Sequence, residues 1–156
     1  MSAYSLDFPD HTFDTVTLIE ALEQLERPGA ALAEIARVLQ PGGQLYITTP
    51  NRLWPIEQHG LKVRGTKRPG YWFPGLVWIA PLHRRVSDAA AFRSAEIRRL
   101  GRAAGFSECT VTWMMPPMDM KGNPAVRGIL DRAERTPARI FGQTIVVRLV
   151  TPTTPA

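Results

Sequence analysis

The chain has 156 residues, a formal charge of +5 and an apolar fraction of 44%, values that fit one soluble globular domain able to bury roughly two-thirds of its unfolded surface. No apolar run approaches the roughly 20 residues needed to cross a bilayer, and the first nine residues lack the basic region and apolar block of a secretory signal. Cys109 is the only cysteine, which excludes an internal disulfide and suits a reducing, cytoplasmic setting, and His11, His59 and His83 lie too far apart for a metal site with ordinary ligand spacing.

Phe13 to Ile19 is a β-rich run bounded by the turn-like Phe8-Pro9-Asp10-His11. Pro28 opens a helix, where its missing amide hydrogen costs nothing, and Leu32, Ile35, Ala36 and Leu39 give that helix one apolar face. Pro41 is read as its stop, with Gly42-Gly43 as a tight turn and Gln44 to Thr49 as a second strand. Strand, helix, glycine turn and strand form a βαβ unit with parallel strands and a right-handed crossover. Residues 51–91 are rich in Pro, Gly, Trp and basic side chains, without sustained periodicity. They read as a long irregular insertion.

Beyond them, Ser94 is read as a helix cap, with Glu96 in the first turn and Ile97, Leu100 and Ala104 as the buried stripe. Gly105 is the expected stop. Ser107 to Met114 is a third strand. Asn123-Pro124 caps a helix with Val126, Ile129, Leu130 and Ala133 on one face, and Thr144 to Val150 is the last strand. Alternation of strands and helices predicts an α/β sheet covered on both faces. The arginines of the two late helices supply much of the positive charge, and a solvated helix face is the preferred reading for them.

Several segments, in order, carry a family resemblance. Leu6-Asp7-Phe8-Pro9-Asp10-His11-Thr12-Phe13-Asp14 resembles the run before the fourth strand of class I S-adenosylmethionine-dependent methyltransferases of the small-molecule type. Ile19-Glu20-Ala21-Leu22-Glu23-Gln24-Leu25 is similar to the segment after that strand. Ala33 to Gly43 (Ala-Glu-Ile-Ala-Arg-Val-Leu-Gln-Pro-Gly-Gly) resembles the helix and turn before the fifth strand. Thr48-Thr49-Pro50-Asn51 is similar to that strand's end, and Ile97 to Phe106 to the helix before the sixth.

The resemblance implies the carboxy-terminal half of a Rossmann-like methyltransferase domain over residues 1–150, with residues 151–156 as a tail. Its strands are the equivalents of the fourth to seventh, mostly parallel with an antiparallel last strand. The family's glycine-rich loop and ribose-binding acid belong to earlier strands, and no Gly-x-Gly loop appears here before residue 42. Gln24 stands where the family usually has histidine, and Asp7 where it has proline. A start set too late, a split or degenerate enzyme, and a second polypeptide supplying the missing half all fit this pattern.

The function implied is methyl transfer from S-adenosyl-L-methionine to a small-molecule or lipid-like acceptor. A non-catalytic partner or regulatory module derived from such an enzyme is the alternative, and an RNA methyltransferase is a weaker one. Cofactor contacts are expected from Tyr4, Leu6, Ile19 and Glu20. For Glu20, beside the carboxyl end of the first strand, the competing reading is a solvent-facing first-turn carboxylate.

Residues 51–91 resemble a substrate lid, in which Pro50-Asn51-Arg52-Leu53-Trp54-Pro55-Ile56-Glu57-Gln58-His59 is similar to a family run. His59 and Glu57 are the catalytic candidates, because an imidazole titrates near neutrality and can act as base. A turn-capping role is the bland alternative for His59. Asn51, Trp54 and His83 are the substrate candidates, His83 from an exposed loop where it would meet an acidic group. Trp54, Trp72, Phe73 and Trp78 are read first as the lid's own core, and otherwise as an acceptor pocket or a membrane contact. Lys62, Arg64, Lys67 and Arg68 among these aromatics would suit RNA, yet nucleic acid is not the expected partner. Without a neighbour, the strand at residues 15–19 would present an open edge for a second chain or a dimer partner.

Overall fold

The computed structural model describes residues 2–57, 59–63, 65–87, 89–114 and 124–153. In chain order these form β1 (Phe13–Ile19), α1 (Pro28–Val38), β2 (Leu39–Pro50), β3 (Leu61–Val63), β4 (Thr66–Arg68), α2 (Ala80–Val86), α3 (Ser94–Ala103), β5 (Glu108–Met114), α4 (Pro124–Glu134) and β6 (Thr144–Val150). Two compact units result. One holds Met1–Thr49, Arg93–Thr112 and Val146–Ala156, the other Pro50–Phe92 and Trp113–Ile145.

The main sheet has the order β1-β2-β6-β5. β1 and β2 are parallel, with Val16 opposite Leu45 and Leu18 opposite Ile47. β6 runs against β2: Thr151 N donates to Gly43 O (3.0 Å) at one end, and Asn51 N to Gln143 O (2.9 Å) at the other. It also runs against β5, because Ser107 N donates to Val150 O (2.9 Å). The last strand is therefore antiparallel, as the resemblance implies.

α1 ends three residues before Pro41. The amides of His11 and Thr12 take the carbonyls of Arg37 (3.0 Å) and Val38 (2.8 Å), and Leu39 is already extended at ψ 139°. Leu39 thus begins β2 instead of continuing the helix face, while Ala31 and Val38 are buried beside Leu32 and Ile35. Residues 40–43 form an irregularity in the β1–β2 register. Gly42 has φ +77°, and a Cβ on Gly43 would lie 2.8 Å from the Gln40 carbonyl oxygen, so this bulge requires both glycines.

α3 also starts one residue from its expected cap. Ser94 is its first residue, and the Glu96 carboxylate accepts from Arg93 N at 2.7 Å. Gly101 lets α3 approach β6 closely, since a Cβ there would lie 2.9 Å from Leu149 Cδ2. Gly105, at φ +94°, ends the turn that follows.

The core of this unit is the face bearing Leu45, Ile47, Val147 and Leu149, packed with Leu32, Ile35 and Ile97. Cover on both faces is not what the unit shows. α1 and α3 pack against each other, and alternate strand residues such as Ile19 (59% exposed) and Tyr46 (37%) face outward. Among the described residues, β1 has a sheet neighbour on one side only. The residues before it do not substitute as a strand but are strapped to α1. Leu6 N donates to Glu34 (2.8 Å), and Arg37 donates to Leu6 O, Phe8 O and Asp10.

The second unit corrects the reading of residues 51–91 as irregular throughout. β3 and β4 form an antiparallel hairpin turned at Gly65 with φ +79°, and α2 follows two short 3-10 turns. Each strand has only three residues, too few for a period-two pattern to register. The aromatics there are not a lid core either: Trp72, Phe73 and Trp78 are 57%, 40% and 58% exposed. In α4, Ile129 is 64% exposed rather than buried. The expected cap Asn123 and the side chains of Val126 and Leu130 lie outside the described residues.

Candidate active site

Immediately after β2, Asn51 fixes the path of the chain. Its side-chain amide donates to Ile140 O (2.8 Å) and Gly142 O (2.7 Å), while its Oδ1 accepts from Leu53 N (3.0 Å). The group is 2% exposed; these bonds position the turn, and the residue also lines the cleft that His59 borders. Trp54, half-buried, follows in the same turn, with its amide on Asn51 O at 3.0 Å.

This turn delivers Glu57 into the interior, where it is 5% exposed. One carboxylate oxygen accepts from His59 N at 2.8 Å and lies 3.4 Å from His59 Nδ1. The other is hydrogen-bonded to His83 Nε2. Gly70 makes the arrangement possible, because a Cβ there would overlap both Glu57 Cγ and the His59 carbonyl. His83 is not on an exposed loop. It belongs to α2, is 3% exposed and faces Glu57.

Burial alone pushes the Glu57 pKa up. Hydrogen bonds from the His59 side chain, His83 and the His59 amide outweigh this and hold the carboxyl at about 2. The charged carboxylate fixes the orientation of two imidazoles. His59 is 27% exposed at its side chain and borders a cleft with Pro50, Asn51, Ile56, Glu57, Val77, Ala90 and Ala91. Trp54 is not among these lining residues. The cleft is narrow and partly open, with room for about one water-sized group.

The four cofactor candidates separate into two pairs. Ile19 and Glu20 end β1 exposed to solvent, and Glu20 adopts φ +47°, a backbone conformation that costs a non-glycine residue of order 1–3 kcal/mol and is found disproportionately at functional sites. Its amide is held by Thr48 O (3.0 Å) and Thr48 Oγ1 (3.1 Å). Tyr4 and Leu6 are tied to neighbouring backbone and side chains. The Tyr4 hydroxyl accepts from Glu26 N and Arg27 N, the Arg27 guanidinium lies 4.4 Å from the Tyr4 ring centroid, and Leu6 N is tied to Glu34.

A second buried acid lies outside the expected site residues. Glu23 is 2% exposed and accepts from the Thr49 hydroxyl at 3.1 Å, near the end of β2. Its place in the Glu20–Leu25 segment was the available signal. Among the described residues, no three His, Cys, Asp or Glu cluster as metal ligands, and no helix is long and apolar enough to cross a membrane.

Residues 1–47 match a family model described as a methyltransferase domain. A ubiquinone/menaquinone biosynthesis C-methyltransferase of Paraburkholderia phymatum is 30% identical over 62% of this chain and 37% of its own length. A Thermotoga maritima S-adenosylmethionine-dependent methyltransferase, described as a possible histamine N-methyltransferase, superposes with a TM-score of 0.61 over 97% of this chain and 62% of that one, at 18% identity. The chain carries a class I methyltransferase fold.

A Haloferax volcanii methyltransferase solved with its Trm112 activator gives a TM-score of 0.54 at 23% identity, over 100% of this chain and 61% of that one. The sequence matches and the likeness in fold both lie among methyltransferases. This methyltransferase-fold chain spans a little over a third of the curated relative's length.

Proposed function

We propose that this chain is the acceptor-side half of an S-adenosyl-L-methionine-dependent methyltransferase acting on a small-molecule or lipid-like acceptor, with His59 as general base and Glu57 as the group that holds it. The observation that carries the reading is a carboxylate-held imidazole bordering a cleft next to Pro50, the last residue of β2. Ligands of open α/β sheets bind beyond the carboxyl ends of strands. The curated relative's role in ubiquinone/menaquinone biosynthesis supports a small organic acceptor.

When bound, the cofactor supplies an electrophilic methyl group on a sulfonium. Ile19 and Glu20 fit as one wall of its site, both exposed at the end of β1. Glu57 holds the His59 ring, His59 removes the acceptor's proton, and the buried apolar side chain of Val77 lines the cleft beside them. The remaining cofactor contacts belong to the glycine-rich half of the domain, supplied by a second polypeptide or a longer form of the same chain.

Titration calorimetry tests the division. The chain alone is expected to show no saturable micromolar binding of S-adenosyl-L-methionine, and adding a polypeptide with the glycine-rich strands should restore it. A clean micromolar isotherm for the chain alone would overturn the one-wall site.

The open edge of β1 supports a second reading, a non-catalytic partner that pairs with another chain through residues 15–19. Both readings require an occupant for that edge, since unpaired ladder groups invite association. Light scattering of the purified chain is expected to show dimers or larger species, reduced by Thr17→Lys, a change at an exposed position of β1. A wild-type monomer stable at high concentration would count against any occupant there. Restored cofactor binding without turnover in the assembled complex would favour the non-catalytic reading.

A further inference from the structure

We infer that the surface carrying Lys67, Arg68, Trp72 and Trp78 is a docking site for an anionic lipid bilayer. Within the twelve residues 71–82, Tyr71, Trp72, Phe73, Trp78, Ile79 and Leu82 are all between 40% and 64% exposed. Monomeric proteins seldom present so many large apolar groups in one short stretch without a partner.

The local backbone keeps them outward. Successive 3-10 turns at Gly70–Trp72 and Leu76–Trp78, joined through Gly75 at φ +82°, bury Val77 and leave the flanking side chains in solvent. These turns are fixed from beneath. Gly75 N donates to Pro55 O, and Trp78 Nε1 reaches Leu53 O at 3.4 Å.

Charge identifies the occupant. Residues 58–87 contain six Lys or Arg and no Asp or Glu. Lys62 and Lys67 face each other across the β3–β4 hairpin, and the Arg68 guanidinium lies 6.0 Å from the Trp72 ring centroid. Cations beside interfacial aromatics are the means by which peripheral proteins hold an anionic bilayer surface. RNA would also take cations and aromatic rings, but gains little from the exposed aliphatic groups of Ile79 and Leu82, since bases stack on rings. A bilayer buries both kinds of side chain.

Co-sedimentation of the full chain with phosphatidylglycerol–phosphatidylcholine vesicles tests this without cofactor or turnover, so its result is separate from that of the methyl-transfer reading. Binding is expected to anionic vesicles and to fall sharply with pure phosphatidylcholine or in high salt. Trp72→Ala with Trp78→Ala, and separately Lys67→Glu with Arg68→Glu, should each weaken it by about tenfold or more. All four positions are exposed, and circular dichroism verifies that each variant folds.

Absence of binding to anionic vesicles, or binding unchanged in both variants, would overturn the inference. So would tighter binding to single-stranded RNA through the same residues, or a dimer dissolved by the tryptophan variant without vesicle binding.

Discussion

His59→Ala, made in the assembled methyltransferase proposed above, is expected to lower turnover at saturating acceptor by about a hundredfold or more while leaving cofactor affinity nearly unchanged. A positioned general base typically contributes that factor, and His59 borders the cleft with its Nδ1 side toward a carboxylate. Single-turnover measurements across pH separate this from a folding defect. Loss of a base flattens the rise of rate with pH, whereas a partly unfolded enzyme keeps the profile at reduced amplitude. Unchanged turnover would return His59 to a turn-capping role.

The second large effect concerns stability. Glu57→Leu removes the acceptor shared by His83 Nε2 and the His59 amide, leaving buried donors unsatisfied, and should cost about 3 kcal/mol at pH 7. The sign with pH follows from the direction of the shift. The folded carboxyl titrates at about 2, below its ordinary 4.5. Its contribution is fully present above the unfolded value and is lost as pH falls through the folded one. Urea denaturation at neutral pH and near pH 3 should therefore show the difference between wild type and variant shrinking on acidification. A difference independent of pH across that window would mean that Glu57 is held by packing alone.

The fold was largely legible in the sequence because its strands carry strong local signals. Phe13–Ile19 and Thr144–Val150 are β-rich runs between turn residues and appear with the bounds expected of them. The end of α1 was misplaced because its last turn is decided by His11 and Thr12, some 26 residues away in sequence, and local propensity carries no such information.

The same physics limited the site. Glu57 and His59 stand two residues apart, so their proximity is written in the chain. His83 lies 26 residues further on and reaches Glu57 only because α2 folds over it. Arg37, within the segment that carries the resemblance most fully, joins α1 to residues 6–10 through Glu34 and Asp10. That motif records a structural strap as much as a family signature.

The position of β6 between β2 and β5 governs the order in which the sheet can assemble. Asn51 bonds across 89 and 91 residues to Ile140 and Gly142, and Thr151 across 111 to Gln40. Closing a loop of about 100 residues costs roughly 4 kcal/mol of chain entropy before any ladder bond repays it. During synthesis, β1, α1 and β2 emerge early but must wait for the last strand with the inner edge of β2 unfilled. Such a topology folds slowly and passes through species open to mispairing. Recovery on refolding should thus depend on chain concentration, and an excess of a peptide spanning residues 143–152 should compete for the waiting edge.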